Sequence, residues 1–212
     1  RYVLTSNAPE SKDNDFTWKD FQARNNNELV SIYGNFVNRV IVLIHKYFDG
    51  KVPSFKNLNK KDSEILKLIK QFPEKIGKKI EEFKFREASQ NLINLSRLGN
   101  KYLAEQEPWK LVKTEMDKVE NIMYVAVQIT AYLSILSGPF LPFSSKKLKS
   151  LLNLSETDIK WNDLININEI IKPGHIINKP ELLFKKIEDE EIDYQITKLN
   201  ERSTIENSIK KK

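Results

Sequence analysis

Apolar residues recur at three- and four-residue spacing along most of this chain, and that spacing places side chains on one face of an α-helix. The first stripe runs from Leu29 to Tyr47 and predicts one long amphipathic helix. It stops at Asp49-Gly50, with Pro53 shortly afterwards, a combination typical of a helix C-terminus.

The next stripe begins near Asn59 and continues to Phe83. Pro73 lies inside it, and a proline both lacks the backbone donor and restricts the residue before it. The pattern therefore predicts two helical pieces with a break or kink at Phe72.

Two more helices are predicted in the middle of the chain. One covers residues 85–102, and the other starts at Pro108, because proline is favoured at a first helical position. We expect the second to reach about Ser137, with one interruption near Asp117. Because Ile122–Leu136 is almost entirely apolar but short and interrupted by polar residues, it predicts a buried helix rather than a membrane span.

The pattern weakens after this point. Ser144–Leu152 predicts a short helix capped by its serines, which is a better interpretation of Ser144-Ser145-Lys146-Lys147 than a nucleotide-site lysine loop. Residues 153–186 predict an extended wrap over the bundle. Residues 188–212 predict a charged terminal helix with an acidic first turn.

Short connections between helices predict an all-α antiparallel helix bundle. We divide the chain into a mostly irregular N-terminal connector (1–16), the bundle (17–152), and a C-terminal wrap with a terminal helix (153–212). The chain does not begin with methionine, so we expect it to be part of a longer protein, and no signal peptide is recognisable.

Composition narrows the possible chemistry. The chain has no cysteine and only two histidines, His45 and His175, so we expect no metal site. We interpret His45 as solvated on the polar side of its helix and His175 as a loop residue. No Gly-rich phosphate loop or nucleophile–base pair is recognisable, so we predict no catalytic residues. The net charge of +6 is equally consistent with a polyanionic partner and with an ordinary lysine-rich surface.

One set of residues suggests a binding chemistry. Asn35 and Arg39 lie one turn apart on the flank of the first long helix, with Lys46 two turns below. By itself this pair is typical of any solvated helix. Trp109, directly after Pro108, is more informative, although it could also be a corner residue over a helix junction. Amide, guanidinium and indole groups together can read and stack an unpaired base.

The remaining tryptophans have apolar neighbours. Trp18 is near Phe16 and Phe21, and Trp161 is near Ile159 and Leu164. We therefore predict that both are core or lid residues.

The chain resembles the C-terminal portion of the methionyl-tRNA synthetase family. The segments that carry the resemblance keep the family's order and span most of the chain: residues 1–4, 7–10, 15–21, 25–29, 34–40, Tyr102 with 105–109, 139–142, 174–175 and 178–184. The Asn-x-x-x-Arg element followed by Glu-Gln-x-Pro-Trp is specific to this synthetase.

The resemblance implies roles for the set described above. Asn35 and Arg39 would hydrogen-bond the first anticodon base, a cytosine, and Trp109 would stack on it while Pro108 fixes the approach. Lys46 is a candidate phosphate contact. The implied partner is methionine-specific tRNA with the anticodon CAU, bound through its anticodon loop, with no membrane involved.

The resemblance also implies what lies outside this chain. The family's nucleotide-site motifs and metal-binding insertion are absent here, so we expect no activity and no cofactor in this part alone. The parent enzyme would be a cytoplasmic methionine–tRNA ligase that uses ATP with magnesium, and zinc in some members. We expect residues 1–16, without the catalytic domain, to be mobile or rearranged.

Two alternatives remain at this stage. One is the anticodon-binding domain of a sister class I synthetase, such as the cysteinyl, valyl or isoleucyl type. The other is a helical protein-interaction scaffold with no RNA preference.

Overall fold

The computed structural model describes residues 1–10, 13–155 and 159–210, with side chains described as far as Glu201. Within these residues the elements are all helical, in the order α1 (Tyr2–Ser6), α2 (Trp18–Arg24), a π-helix (Asn25–Gly34), α3 (Asn35–Phe48), α4 (Lys60–Ile69), α5 (Phe72–Glu81), α6 (Phe85–Gln106), α7 (Pro108–Leu111), α8 (Met116–Leu136), α9 (Pro142–Leu151), a short 3-10 helix (Trp161–Ile165) and α10 (Asp189–Lys210). The described part of the chain has no β-strand, only an isolated bridge between Lys51 and Ile176. The predicted all-α bundle is confirmed.

Helix α8 forms the centre of the bundle and contacts α3, α4, α6, α7 and α9. Every residue from Asn121 to Leu136 is buried. By length and composition α8 could cross a membrane, but 94% of its apolar window is buried inside the protein. The predicted buried helix is therefore confirmed, and it extends the apolar run by a more polar first turn that begins at Met116.

Helix α8 also holds the C-terminal wrap in place through polar side chains. The Gln128 amide donates to Ile171 O at 2.6 Å and accepts from Ile170 N at 2.9 Å. The hydroxyl of Tyr132 donates to Leu164 O at 2.9 Å. An extended segment has backbone groups that need partners, and these contacts explain why residues 161–171 lie against the bundle as predicted.

The break predicted at Phe72 is confirmed, because α4 ends at Ile69 and α5 begins at Phe72 with Pro73 in its first turn. Helix α4 starts at a reciprocal cap in which Asp62 N donates to Asn59 Oδ1 and Asn59 N donates to Asp62 Oδ2. Asp62 is fully buried, and its other oxygen accepts the Tyr102 hydroxyl at 2.6 Å. One carboxylate therefore joins α4 to α6.

The first long helix differs from its prediction. The pattern predicted one continuous amphipathic α-helix from Leu29, but residues 25–34 form a π-helix that continues directly into α3. A widened turn keeps apolar residues on the inner face, so three- and four-residue spacing alone does not reveal it. The predicted stop is confirmed: Asp49 and Gly50 both have left-handed backbone conformations.

The N-terminal segment also differs from its prediction. Residues 2–6 form α1, whose Tyr2 and Val3 are buried, and the Tyr2 hydroxyl donates to Glu28. The Arg86 guanidinium donates to Ala8 O at 2.9 Å. We expected this segment to be mobile or rearranged, and these contacts argue against that expectation because the bundle itself provides partners. Residues 13–17 are irregular, as predicted.

Two smaller predictions are wrong. Helix α9 begins at Pro142 and has no side-chain cap; the Ser145 hydroxyl instead donates to Ser134 O on α8 at 2.6 Å. His45 is half-buried rather than solvated, because its Nε2 lies 2.9 Å from Asn178 O in the wrap. Both side chains bond to distant backbone, a kind of partner that local sequence does not show.

Of the two other tryptophans, Trp161 packs against the core as predicted, whereas Trp18 belongs to an aromatic cluster at the start of α2. Trp18 is half-buried and stacks edge-on with Phe16 and Phe21. Trp161 packs over Gly77, where an added Cβ would lie 3.5 Å from the indole nitrogen. The predicted domain boundaries at residues 16 and 152 stay a prediction.

Candidate nucleic-acid interface

The candidate interface is built on the flank of α3 and the start of α7. A left-handed Glu107 ends α6, with φ of 43°, and redirects the chain into α7. Pro108 is buried at the first position of α7. The turn therefore presents the next residue, Trp109, beside α3 with 38% of its surface exposed.

Arg39 and Trp109 meet in space. The guanidinium carbon of Arg39 lies 5.1 Å from the centre of the indole ring, within the range of a cation–π contact. Arg39 is half-buried, and no carboxylate pairs with it among the described residues. The guanidinium therefore lies over one face of the indole, which puts hydrogen-bond donors next to a flat aromatic surface.

Asn35 lies one turn before Arg39, at the exposed start of α3. Residues four apart on a helix are neighbours, so Asn35 and Arg39 share one face. No hydrogen bond joins Asn35 to Trp109 in the part of the chain that the structure describes. The structure thus brings two of the three residues into contact and places the third beside them.

Lys46, the candidate phosphate contact, lies two turns beyond Arg39 on the same flank. It is exposed, and its Nζ is 5.4 Å from the centre of its neighbour's ring, Tyr47. A phosphate on this face could therefore reach Lys46 without disrupting an ion pair in the described structure.

The acidic residues near Trp109 carry compensated charges. Glu107 pairs with Lys110 at 2.8 Å, and Glu105 pairs with Lys61 at 2.8 Å. The hydrogen bond from Lys61 lowers the pKa of Glu105. These pairs reduce the repulsion that free carboxylates would exert on a polyanion at this edge.

Sequence reasoning missed a second feature of this surface. A cleft of about 360 Å³ lies beside Asn35 and includes a second amide, Asn38. Its far wall comes from the wrap, at Leu182–Phe184. The three-residue spacing of Asn35 and Asn38 could have suggested the amide pair, but nothing local indicates that residues 182–184 fold back onto α3.

Within the described ranges, no group of three or more His, Cys, Asp or Glu side chains could hold a metal ion. The arrangement instead provides hydrogen-bond donors, amides and an aromatic surface, which are the groups used to bind unpaired nucleotides.

Two models of known protein families match this chain. The family model described as the anticodon binding domain of methionyl tRNA ligase matches residues 52–203, and the model for class I tRNA synthetases (M) matches residues 1–41. The chain therefore belongs to the methionyl-tRNA ligase anticodon-binding family.

Curated relatives agree with this assignment. The chain is 57% identical to a methionine–tRNA ligase of Phocaeicola vulgatus over 94% of its own length and 29% of the relative. It is 56% identical to that of Christiangramia forsetii over 96% of its length and 30% of the relative. The chain thus spans less than a third of these relatives.

Solved structures share the fold. The apo form of Mycobacterium tuberculosis methionyl-tRNA synthetase superposes with a TM-score of 0.81 at 21% identity, covering 88% of this chain and 38% of that chain. At this identity the likeness concerns the fold.

Proposed function

We propose that this chain recognises the anticodon loop of methionine-specific tRNA. Asn35 and Arg39 hydrogen-bond the edge of the first anticodon base, and Trp109 stacks on its face. Pro108 fixes the position of the indole, and Lys46 contacts a loop phosphate.

The observation that carries the proposal is the Arg39–Trp109 contact of 5.1 Å beside Asn35. Unpaired loop bases are read by hydrogen bonds on their edges and by stacking on aromatic side chains. A cytosine edge presents a carbonyl, a ring nitrogen and an amino group. The guanidinium can donate to the carbonyl, and the Asn35 amide can donate and accept.

The chain spans less than a third of its curated relatives, so the activity of a whole ligase belongs to the proposal as well. The relatives are methionine–tRNA ligases. In this proposal a catalytic domain that precedes the bundle joins methionine to tRNA and uses ATP with magnesium. The whole enzyme would be cytoplasmic, and some members of the family would also hold zinc. Within the described residues no group of three or more His, Cys, Asp or Glu side chains could hold a metal ion, so the proposal gives this chain no metal ligand.

The isolated chain is proposed to be inactive. It should not form methionyl adenylate, because the motifs that hold ATP are absent from its sequence. Adenylate formed by the purified chain would contradict this, and it can be measured as methionine-dependent exchange of pyrophosphate into ATP.

Family membership removes the sister class I synthetases as an alternative. A protein-binding scaffold remains the competing outcome of the experiments, because a helical flank can also contact a partner chain. Binding to RNA separates the two. We expect weak, salt-sensitive binding to an anticodon stem-loop, since few phosphates are contacted.

The direct test replaces the stacking residue. Trp109→Ala should lower affinity for a stem-loop carrying CAU by about 1–3 kcal/mol, the usual contribution of base–aromatic stacking. Tyr194→Ala is the matched control, because Tyr194 is an exposed aromatic residue (63%) on α10. Equal titrations for Trp109→Ala and the control would remove Trp109 from the site.

A further inference from the structure

The cleft beside Asn35 has the dimensions and position of a second binding subsite. Its volume of about 360 Å³ lies at the lower end of the range typical of small-molecule sites. It opens between the end of the π-helix, the first turn of α3 and residues 182–184 of the wrap. A single nucleobase is a planar group that such a cleft can accept.

The wrap is fastened to the π-helix, so the cleft wall is fixed in place. The Asn26 amide donates to Ile187 O at 2.8 Å and accepts from Ile187 N at 2.9 Å. The Asn25 amide donates to Lys185 O at 2.9 Å. The side chains of Asn25 and Asn26 thus bond backbone groups of residues 185 and 187, and these bonds hold this part of the wrap against the π-helix.

The other end of the wall is fixed as well. Lys147 Nζ donates to Leu182 O at 3.1 Å. Phe184 packs edge-on against the buried Tyr33 ring with 5.6 Å between centroids. Gly34 permits this approach, because a Cβ there would lie 3.2 Å from the Phe184 ring and 3.0 Å from Leu29 O.

The groups that face the cleft are available to a ligand. Neither Asn35 nor Asn38 has a side-chain hydrogen-bond partner in the described structure, and each amide can both donate and accept. Leu182 is 65% exposed and offers an apolar surface on the opposite side. Paired amides facing an apolar wall match a nucleobase, which has a polar edge and an apolar face.

The cleft lies next to the site proposed for the first anticodon base. Asn35 lines the cleft and also shares its helix face with Arg39, whose guanidinium lies on Trp109. A nucleotide in the cleft would therefore be next to one stacked on Trp109.

We infer that the cleft between Asn35, Asn38 and Leu182 is a second base subsite, occupied by the loop nucleotide adjacent to the first anticodon base. Asn38 reads its edge and Leu182 covers its face. The inference rests on the proposed function, since it requires the neighbouring base to be bound at Trp109.

The test combines changes in the protein with changes in the RNA. Stem-loops carrying CAU are prepared with an abasic nucleotide on either side of the first anticodon base, which removes a base and leaves its phosphate. Each is titrated against the unsubstituted chain, Asn38→Ala, Leu182→Ala and the control Leu199→Ala, an exposed leucine (59%) on α10. Thermal melting confirms that each variant is folded.

One of the two abasic loops should bind the unsubstituted chain about tenfold more weakly. The same abasic change should cost the Asn38→Ala and Leu182→Ala variants little, because the contact is already gone, while Leu199→Ala keeps the full tenfold loss. Equal abasic losses in all four proteins would overturn the inference.

The two proposals fail in different ways. If Trp109→Ala weakens binding but abasic losses are the same in every cleft variant, the second subsite is wrong and the proposed function stands. If Trp109→Ala leaves the affinity unchanged, the proposed function fails, and with it the basis for the subsite.

Discussion

Helices α8 and α3 each carry two amide side chains, and the two pairs have opposite surroundings. In α8 the buried amides, Thr130 and Ser134 all have partners: Asn121 bonds residues 56 and 57, Gln128 bonds residues 170 and 171, and the two hydroxyls bond preceding carbonyls of their own helix. One carboxylate oxygen of Glu120 is the exception, since it is buried without a partner. In α3 the amides of Asn35 and Asn38 have no side-chain hydrogen-bond partner in the described structure.

The difference separates polar groups that serve the fold from polar groups left for a ligand. A buried amide without a partner costs about 1–3 kcal/mol, so α8 must satisfy its own. An exposed amide bonds to water at little cost and can exchange that water for a base edge. Polar residues in α8 should therefore control stability, and those on α3 should control RNA affinity.

The largest expected effect lies in α8. Leu133→Ala should lower the free energy of unfolding by about 2–5 kcal/mol, because Leu133 is fully buried and its loss leaves a cavity. Urea unfolding measures the change, and Leu199→Ala on exposed α10 should change it by less than about 0.5 kcal/mol. Similar losses for both leucines would show that α8 is not the centre of the core.

The buried Tyr132 of α8 should make the free energy of unfolding fall at alkaline pH. Burial raises the pKa of Tyr132 to about 12, against an ordinary value of 10.0. The contribution of this tyrosine to stability is complete below pH 10 and is lost as the pH rises toward 12, because only the unfolded chain ionises in that interval. At pH 11 the free energy of unfolding of Tyr132→Phe should therefore have fallen from its neutral-pH value by about 1.4 kcal/mol less than that of the unsubstituted chain. Parallel pH profiles for the two proteins would contradict this.

The smallest effect concerns the hydrogen bonds that hold the wrap against the π-helix. Asn26→Ala removes both side-chain bonds to Ile187 and should cost about 1 kcal/mol of stability. Amide hydrogen exchange should accelerate in residues 182–187 while α8 is unchanged. Asn94→Ala, an exposed asparagine on α6, is the control. Unchanged exchange in the wrap would mean that the π-helix does not hold it.

The sequence was sufficient for the bundle because burial leaves a periodic pattern. The apolar stripes of α3, α4, α5, α6 and α8 recur because each helix packs one face against the same core. The break beside Pro73 follows from the missing backbone donor and the ring of that single proline. The π-helix was not predictable in this way, because a widened turn preserves the apolar face that the pattern records.

The candidate site was only partly predictable. Asn35 and Arg39 are linked by helical spacing, so their proximity follows from α3 alone. The contact between Arg39 and Trp109 depends on how α6 ends at Glu107 and where α7 then lies. The cleft depends on a segment about 150 residues away, held by Asn26 and Ile187. Long-range hydrogen bonds of this kind have no local sequence signal.

The central claim is that this surface reads a base, and one titration tests it most directly. The affinity of the chain for an anticodon stem-loop with CAU is compared, at one fixed salt concentration, with that for the same loop with its first base changed to U. The account predicts binding at least about tenfold weaker for the changed loop. Uracil keeps the carbonyl to which Arg39 donates, but it exchanges the donor and the acceptor that the Asn35 amide would meet. Equal affinities would contradict it and favour a surface that contacts a protein partner instead.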